Sequence, residues 1–155
     1  MPIPKLSLYL GVLLIKYNIN MANKIQDIEG IGKVFSETLA KQGITKVEQL
    51  LETGASKTGR KKLAEATKID EKLILKWVNM ADLFRIKGVG SEFSELLEAA
   101  GVDTVKELRN RNAENLHAAL VKVQEEKKLT RAVPALKQVT DFIEQAKKLD
   151  PVVTY

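Results

Sequence analysis

The sequence predicts an all-α domain built from two similar halves, and three observations lead to this prediction. One short pattern occurs twice, with its copies 58 residues apart, at residues 28–50 and 86–108. Of the 23 aligned positions, 10 are identical, and such internal repetition indicates one supersecondary unit used twice. Apolar residues recur at helical spacing through the rest of the chain, and no segment shows the alternation typical of a strand.

Each copy is predicted to form a helix, a tight Gly-x-Gly turn, a second helix and a short third helix. The turn glycines are Gly30, Gly32, Gly88 and Gly90. Glycine permits a positive φ and a close approach of the backbone to other groups. Gly43 and Gly101 stand where a glycine ends a helix, so that Ile44 and Val102 can fold back onto it. Thr45 and Asp103 are then expected to be the N-caps of the next helices.

The segments after each repeat are also predicted to be helical. Asp70 and Asn112 are expected N-caps, and Pro134 is expected to start the last helix. Trp77 and Phe142 lie on equivalent apolar stripes and should be among the most buried side chains. The two halves are predicted to cover residues 22–83 and 84–150, with residues 151–155 as a tail.

Residues 1–21 differ from the rest of the chain. An apolar run of ten residues, 6–15, is far shorter than the roughly 20 residues that span a bilayer. Because Met21-Ala22-Asn23-Lys24 reads like a natural start, we interpret residues 1–21 as an extension from an upstream or non-native start. An export or tethering signal and a docked segment are the alternatives. We expect a cytoplasmic protein that does not associate with membranes.

The composition excludes several classes of chemistry. With 45% apolar and 29% charged residues, the chain has the composition of a soluble globular protein. It has no cysteine and one histidine, so it lacks a thiolate nucleophile and the ligands of a zinc site. Asp82 is expected to cap a helix or to pair with Arg85 rather than to transfer protons. We therefore expect no enzyme activity, no cofactor, no metal and no small-molecule substrate.

The repeated unit resembles the helix-hairpin-helix motif. Gly30-Ile31-Gly32 and Gly88-Val89-Gly90 match its Gly-apolar-Gly turn, and the downstream small residue and leucine are also present: Ser36, Leu39, Ser94 and Leu97. The resemblance implies that the two units pack with pseudo-twofold symmetry into one compact helical domain. It also implies that the turn amides hold DNA phosphates without reading the base sequence.

A wider resemblance covers roughly residues 24 to 150. The run from Leu75 to Gly90, followed by the segment from Leu96 to Val105, is similar to the domain-of-unknown-function family 4332. This resemblance implies the fold and indicates no activity.

The candidate binding residues follow from the chemistry of the hairpin. A Gly-x-Gly turn that leads into a helix presents backbone N–H groups at the helix N-terminus, where the dipole favours an anion. Lys33 adds charge to the first hairpin, whereas the second hairpin carries Glu92, so the first hairpin is expected to dominate. Four cations also fall within six residues from Lys57 to Lys62. The predicted nucleic-acid-binding residues are Gly30, Ile31, Gly32, Lys33, Lys57, Arg60, Lys61, Lys62, Lys87, Gly88 and Gly90.

Two functions remain open at this stage. The first is sequence-independent DNA binding by a non-enzymatic module, and the second is a protein-interaction or scaffold role in which the hairpins serve only structure. The net charge is +5, but Lys5 and Lys16 contribute +2 of it, so residues 21–155 carry only +3. A strong nucleic-acid binder usually has a clearer excess of positive charge. The position of the cations relative to the hairpin amides would separate the two functions.

Overall fold

The computed structural model describes residues 23–155, and within them the all-α prediction is confirmed. These residues form a short 3-10 helix at Ile25–Asp27 and eight α-helices, with no strand among them. The helices are α1 (Lys33–Ala40), α2 (Val47–Gly54), α3 (Lys57–Thr67), α4 (Glu71–Leu83), α5 (Ser91–Ala99), α6 (Val105–Leu108), α7 (Ala113–Lys127) and α8 (Leu136–Lys147). The interpretation of residues 1–21 falls wholly outside the described range.

The helices enclose two hydrophobic clusters. In the first, α2, α3 and α4 pack against one another around Trp77, which is fully buried. In the second, α8 packs against α6 and α7, and Phe142 on α8 is buried. The predicted burial of both aromatic residues is confirmed. Because α4 supplies Trp77 to the first cluster and Leu83 to the second, this helix joins the two cores.

The helix expected before the first hairpin is only the three-residue 3-10 helix within the described residues. The backbone on either side of it, at Lys24 and Ile28, is extended, and Ile25 N–H donates to Thr45 O at 3.0 Å. The N–H of Val47 likewise donates to Asn23 O at 3.2 Å. These bonds to the loop before α2 take the place of helical bonds. The second hairpin, by contrast, follows the 13-residue helix α4 as expected.

The glycine stops behave as the sequence predicts. Gly43 and Gly101 have φ values of +78° and +90°, a conformation that residues with a Cβ rarely adopt. The N–H of Ile44 donates to Leu39 O at 3.1 Å, and both Ile44 and Val102 are buried. The predicted return of the chain onto the helix end is thus confirmed in both copies.

Some predicted helix starts are displaced. The N-caps of α2 and α6 are Lys46 and Thr104, not Thr45 and Asp103, so each prediction was one residue too early. In α2, Gln49 Oε1 accepts hydrogen bonds from the N–H groups of both Thr45 and Lys46, at 2.8 and 3.0 Å. The Gln49 side chain therefore satisfies the backbone donors of both residues, and α2 begins one residue later than predicted.

Of the other predicted helix starts, two are confirmed and one is wrong. Asp70 and Asn112 are the N-caps of α4 and α7, as predicted, and their carboxylate and amide oxygens accept first-turn N–H groups at 2.8 and 3.0 Å. The last helix begins at Leu136 rather than at Pro134. Gln138 Oε1 accepts the N–H of Ala135 at 2.8 Å, and this bond fixes Ala135 as the N-cap.

Residues 151–155 do not form a separate tail. Val153 belongs to the first hydrophobic cluster, although it follows the last helix of the second half. None of the helices formed by residues 23–155 has the length and apolar character needed to cross a membrane.

Candidate nucleic-acid interface at the two glycine hairpins

The two hairpins have the same backbone geometry. The φ values of Gly30 and Gly88 are +94° and +99°. Each turn is closed by one backbone hydrogen bond, from Ile31 N–H to Ile28 O at 3.1 Å and from Val89 N–H to Ile86 O at 3.0 Å. Ile31 was predicted to contribute to binding, but its side chain is buried and its N–H is used inside the turn. It therefore has a structural role.

The two glycines of a hairpin have different constraints. Gly30 and Gly88 need a positive φ, and a Cβ on them would lie 3.5 Å from Trp77 Nε1 and 3.0 Å from Phe142 Cε1, respectively. Gly32 has a φ of −86°, which any residue adopts, and a Cβ there would meet nothing within 4 Å. Gly90, at −120°, has the same freedom. The fold thus requires only the first glycine of each hairpin.

The second glycine of each hairpin begins a helix without capping it. Gly32 and Gly90 are the N-caps of α1 and α5, and neither offers a side chain to the first-turn N–H groups. Four other helices of the described chain begin with side chains that cap them: Ser56, Asp70, Thr104 and Asn112. At the starts of α2 and α8, which also lack such a side chain, a glutamine accepts the N–H of the N-cap residue. The amides at the start of α1 and α5 are therefore open to an outside acceptor.

Charges of both signs surround the first hairpin. Lys33 is exposed, as predicted, and so is Glu29. Glu29 lies close enough to Glu95 on α5 to affect its ionisation. The pKa of the Glu95 carboxyl is raised mainly by burial and further by Glu29, whereas Lys76 lowers it. The first hairpin is thus less cationic than its lysine alone suggests.

The second hairpin has a cationic partner that the sequence analysis missed. Arg131 Nε lies 3.1 Å from Glu92 Oε1, and the Arg131 side chain is 91% exposed. Arg131, Glu92, Ser91, Phe93 and both hairpin glycines line one surface cavity. Lys87 is exposed, and its backbone is held by Gln145, which accepts from Lys87 N–H at 2.8 Å and donates to Lys87 O at 3.0 Å. Glu92 is therefore compensated by an arginine 39 residues away in sequence.

The predicted cation cluster on α3 loses one member. Arg60 is only 2% exposed, and its guanidinium donates to Gly54 O and Ala55 O at 2.9 and 3.0 Å and to Thr154 O at 2.5 Å. Burial lowers the pKa of Arg60, and Tyr155 and Glu71 act in the opposite direction. The prediction of Arg60 as a surface phosphate ligand does not hold in this conformation, because three backbone carbonyls occupy the group.

The other three cations of the cluster, Lys57, Lys61 and Lys62, are exposed. Lys57 lines a cavity between α3 and α4 together with the carboxylates of Asp70 and Glu71. These acids stand beside the cluster, so it is not the purely cationic patch that the sequence indicates.

Asp82 has the structural role that was expected. Its Oδ1 lies 2.9 Å from Arg85 Nη1, and both side chains are 1% exposed. Burial raises the pKa of Asp82, whereas Arg85 and a hydrogen bond from Val105 N–H lower it. The carboxylate ties the end of α4 to the start of α6. In residues 23–155, no group of three or more His, Cys, Asp and Glu side chains could hold a metal ion.

Comparison with known proteins identifies one family. The model of one family, the domain of unknown function DUF4332, matches residues 29–149. The chain belongs to this family. No curated protein and no solved structure matches the chain.

Proposed function

We propose that this protein is a non-enzymatic, cytoplasmic module that binds DNA through backbone phosphates, without sequence preference, at two helix-hairpin-helix units. The observation that carries the proposal is the glycine that begins α1 and α5. Neither Gly32 nor Gly90 is required by φ or by space, and serine or aspartate would cap the helix better. A glycine at both positions leaves the amides open and lets an anion approach the backbone closely.

The chemistry of such a site suits a phosphate. Open N–H groups at a helix N-terminus donate hydrogen bonds along the helix dipole, which favours a negative charge. Lys33 and Lys87, both exposed, flank the turns and supply formal charge. Contacts of this kind position DNA and carry no base information. The expected affinity is therefore similar for all sequences and falls steeply with salt.

A protein-interaction role is the second candidate, and the charges and exposure at the first hairpin favour it. Glu29 and Glu95 place two carboxylates near this turn. Val34, one residue into the first turn of α1, is 74% exposed. An acidic flank and an exposed apolar side chain suit a protein surface better than a phosphate backbone.

The test is fluorescence anisotropy of the full chain on two duplexes of unrelated sequence, at several salt concentrations. Gly32→Ser introduces a side chain that competes for the open amides, so we expect weaker binding together with a small gain in stability. Ala135→Ser is the matched control, because it adds the same cap to α8 at a position remote in sequence from both hairpins. Absence of binding by the unmodified protein even at low salt would reject the DNA function, and pull-down for protein partners would follow.

A further inference from the structure

Residues 152–155 pack against the first half of the chain. We define residues 152–155 as the C-terminal strap. Val153 is 9% exposed and packs in the first hydrophobic cluster. The N–H of Thr154 donates to Ala55 O at 2.8 Å. The strap thus crosses from the second half of the chain to the end of α2.

Arg60 contacts two residues of the strap, Thr154 and Tyr155. Its Nη2 donates to Thr154 O at 2.5 Å, so both backbone groups of Thr154 are hydrogen-bonded to the first half. The Arg60 Cζ atom lies 5.8 Å from the centre of the Tyr155 ring. The Tyr155 hydroxyl donates to Asn79 Oδ1 at 3.4 Å. The strap therefore covers the outer side of the guanidinium with a carbonyl and an aromatic ring.

The strap is held less firmly than either core. Only one of its side chains, Val153, is buried, and Tyr155 is 69% exposed. The clusters around Trp77 and Phe142 each contain more than a dozen buried apolar side chains. Segments with few buried contacts open at a lower free energy than the cores to which they are attached. The strap can therefore open while both cores remain folded.

We propose that the C-terminal strap is an autoinhibitory latch over Arg60. Closed, it occupies the Nη2 donor of Arg60, and Tyr155 forms a wall of the cavity that Lys57 and Arg60 line. Open, it uncovers the Nη2 side of the guanidinium beside Lys57 and Lys72, on a surface that Asp70 and Glu71 also line. Nη1 stays bonded to Gly54 O and Ala55 O, so the guanidinium keeps its position when the strap leaves. The ligand of that surface is the DNA phosphate backbone, and this part of the inference rests on the proposed function.

The expected effect of opening is electrostatic. Each additional neutralised phosphate makes the slope of log affinity against log salt steeper by about 0.9 on duplex DNA. An opened strap should therefore strengthen binding most at low salt. Opening should not change the preference between duplex sequences, because an arginine–phosphate contact does not read bases.

The experiment opens the strap by a neutral substitution in the full chain. Val153→Ser removes the buried side chain of the strap, and Val133→Ser, at a half-buried valine of the second cluster, is the matched control. Hydrogen exchange followed by mass spectrometry reports on residues 152–155 separately from the helices. Anisotropy on one duplex at several salt concentrations reports on binding. If Val153→Ser fails to fold, Tyr155→Ala makes the same test at an exposed side chain.

The latch predicts faster exchange in the strap alone, a steeper salt slope than in Val133→Ser, and loss of that gain when Arg60→Gln is added. A strap that opens without changing the slope, in a protein that binds DNA, overturns the latch and leaves the proposed function standing. Exchange that accelerates in the helices together with the strap also overturns the latch. Absence of DNA binding by the unmodified protein overturns both proposals.

Discussion

The Oδ2 atom of Asp82 accepts a hydrogen bond from Val105 N–H at 2.8 Å, across 23 residues of chain. The equivalent amide of the first copy, Val47 N–H, donates instead to the backbone carbonyl of Asn23, at 3.2 Å. Each repeat thus ties the start of its short helix to the segment that enters its own hairpin. The first copy does so with backbone, and the second does so with a buried carboxylate.

Asp82→Ala should therefore destabilise the second half strongly. The substitution removes the acceptor of Val105 N–H and the carboxylate that Arg85 contacts, and both groups are buried. Removing one partner of a buried ion pair typically costs about 3–5 kcal/mol. Urea unfolding measures the change. Asp103→Ala, at an exposed carboxylate nearby in sequence, should leave the free energy of unfolding within about 0.5 kcal/mol of the parent.

The hairpin glycines provide a second prediction. Gly30→Ala should cost about 1–2 kcal/mol, because the alanine would be forced into a positive φ. Gly32→Ala should change the free energy of unfolding by less than about 0.5 kcal/mol, because its φ is ordinary and its surroundings are open. Chemical denaturation of the two variants checks this difference. Equal losses would mean that the fold needs both glycines, and Gly32 would then serve the fold and not an anion site.

Much of this architecture could be predicted from the sequence because its signals are local. The glycine stops at Gly43 and Gly101 and the caps at Asp70 and Asn112 each depend on residues within one turn of a helix. The displaced start of α2 shows the limit of such signals, because Gln49 satisfies two neighbouring donors at once.

The parts of the site that sequence reasoning missed depend on distant partners. Arg60 reads as a surface cation in a basic run, but its guanidinium is bonded to Gly54 O and Ala55 O and also to Thr154 O, 94 residues later. Arg131 likewise meets Glu92 across 39 residues. No local pattern specifies either contact. Whether the two halves are related by a pseudo-twofold axis stays a prediction, although the backbone hydrogen bonds that close the two hairpins match.

Glu48 should make stability depend on pH. It is 2% exposed, its Oε2 has no hydrogen-bond partner among the described residues, and burial raises its pKa above the ordinary value of 4.5. A raised pKa in the folded state means that the stabilising contribution is present below pH 4.5 and is lost as the pH rises through the folded-state pKa. Glu48→Gln should therefore raise the melting temperature at pH 7 and leave it nearly unchanged at pH 4.

Thermal melts of Glu48→Gln at both pH values check this prediction. Glu65→Gln, at an exposed position on α3, is the control and should leave the melting temperature unchanged at either pH. A gain of equal size at pH 4 and pH 7 would show that the effect of Glu48→Gln does not come from ionisation.

The contribution of the first hairpin to DNA binding can be measured with a substitution of Lys33. Lys33→Ala should weaken binding to all duplexes and lower the salt slope by about 0.9, because one phosphate contact is lost. Lys41→Ala is the control, because this lysine is exposed at the opposite end of α1, about 12 Å away along the helix axis. A Lys33→Ala variant that matches Lys41→Ala would exclude the first hairpin from the interface.

Glu92→Lys should strengthen binding at the second hairpin. The change removes a carboxylate, adds a cation and releases Arg131 from its ion pair. Anisotropy at several salt concentrations should show a steeper slope than that of the parent protein. An unchanged slope would mean that the second hairpin does not face the DNA.

The contact between Arg60 and the strap also affects the order in which the chain is expected to fold. The bond between Arg60 and Thr154 spans 94 residues, whereas the backbone hydrogen bonds that close the hairpins join Ile31 to Ile28 and Val89 to Ile86. Contacts between distant residues form slowly because the intervening chain must first be ordered. Each core can condense from neighbouring segments, whereas the strap must reach the first core across most of the chain. We therefore expect Val153 to join the first core last, because the other buried residues of this core lie between residues 25 and 84.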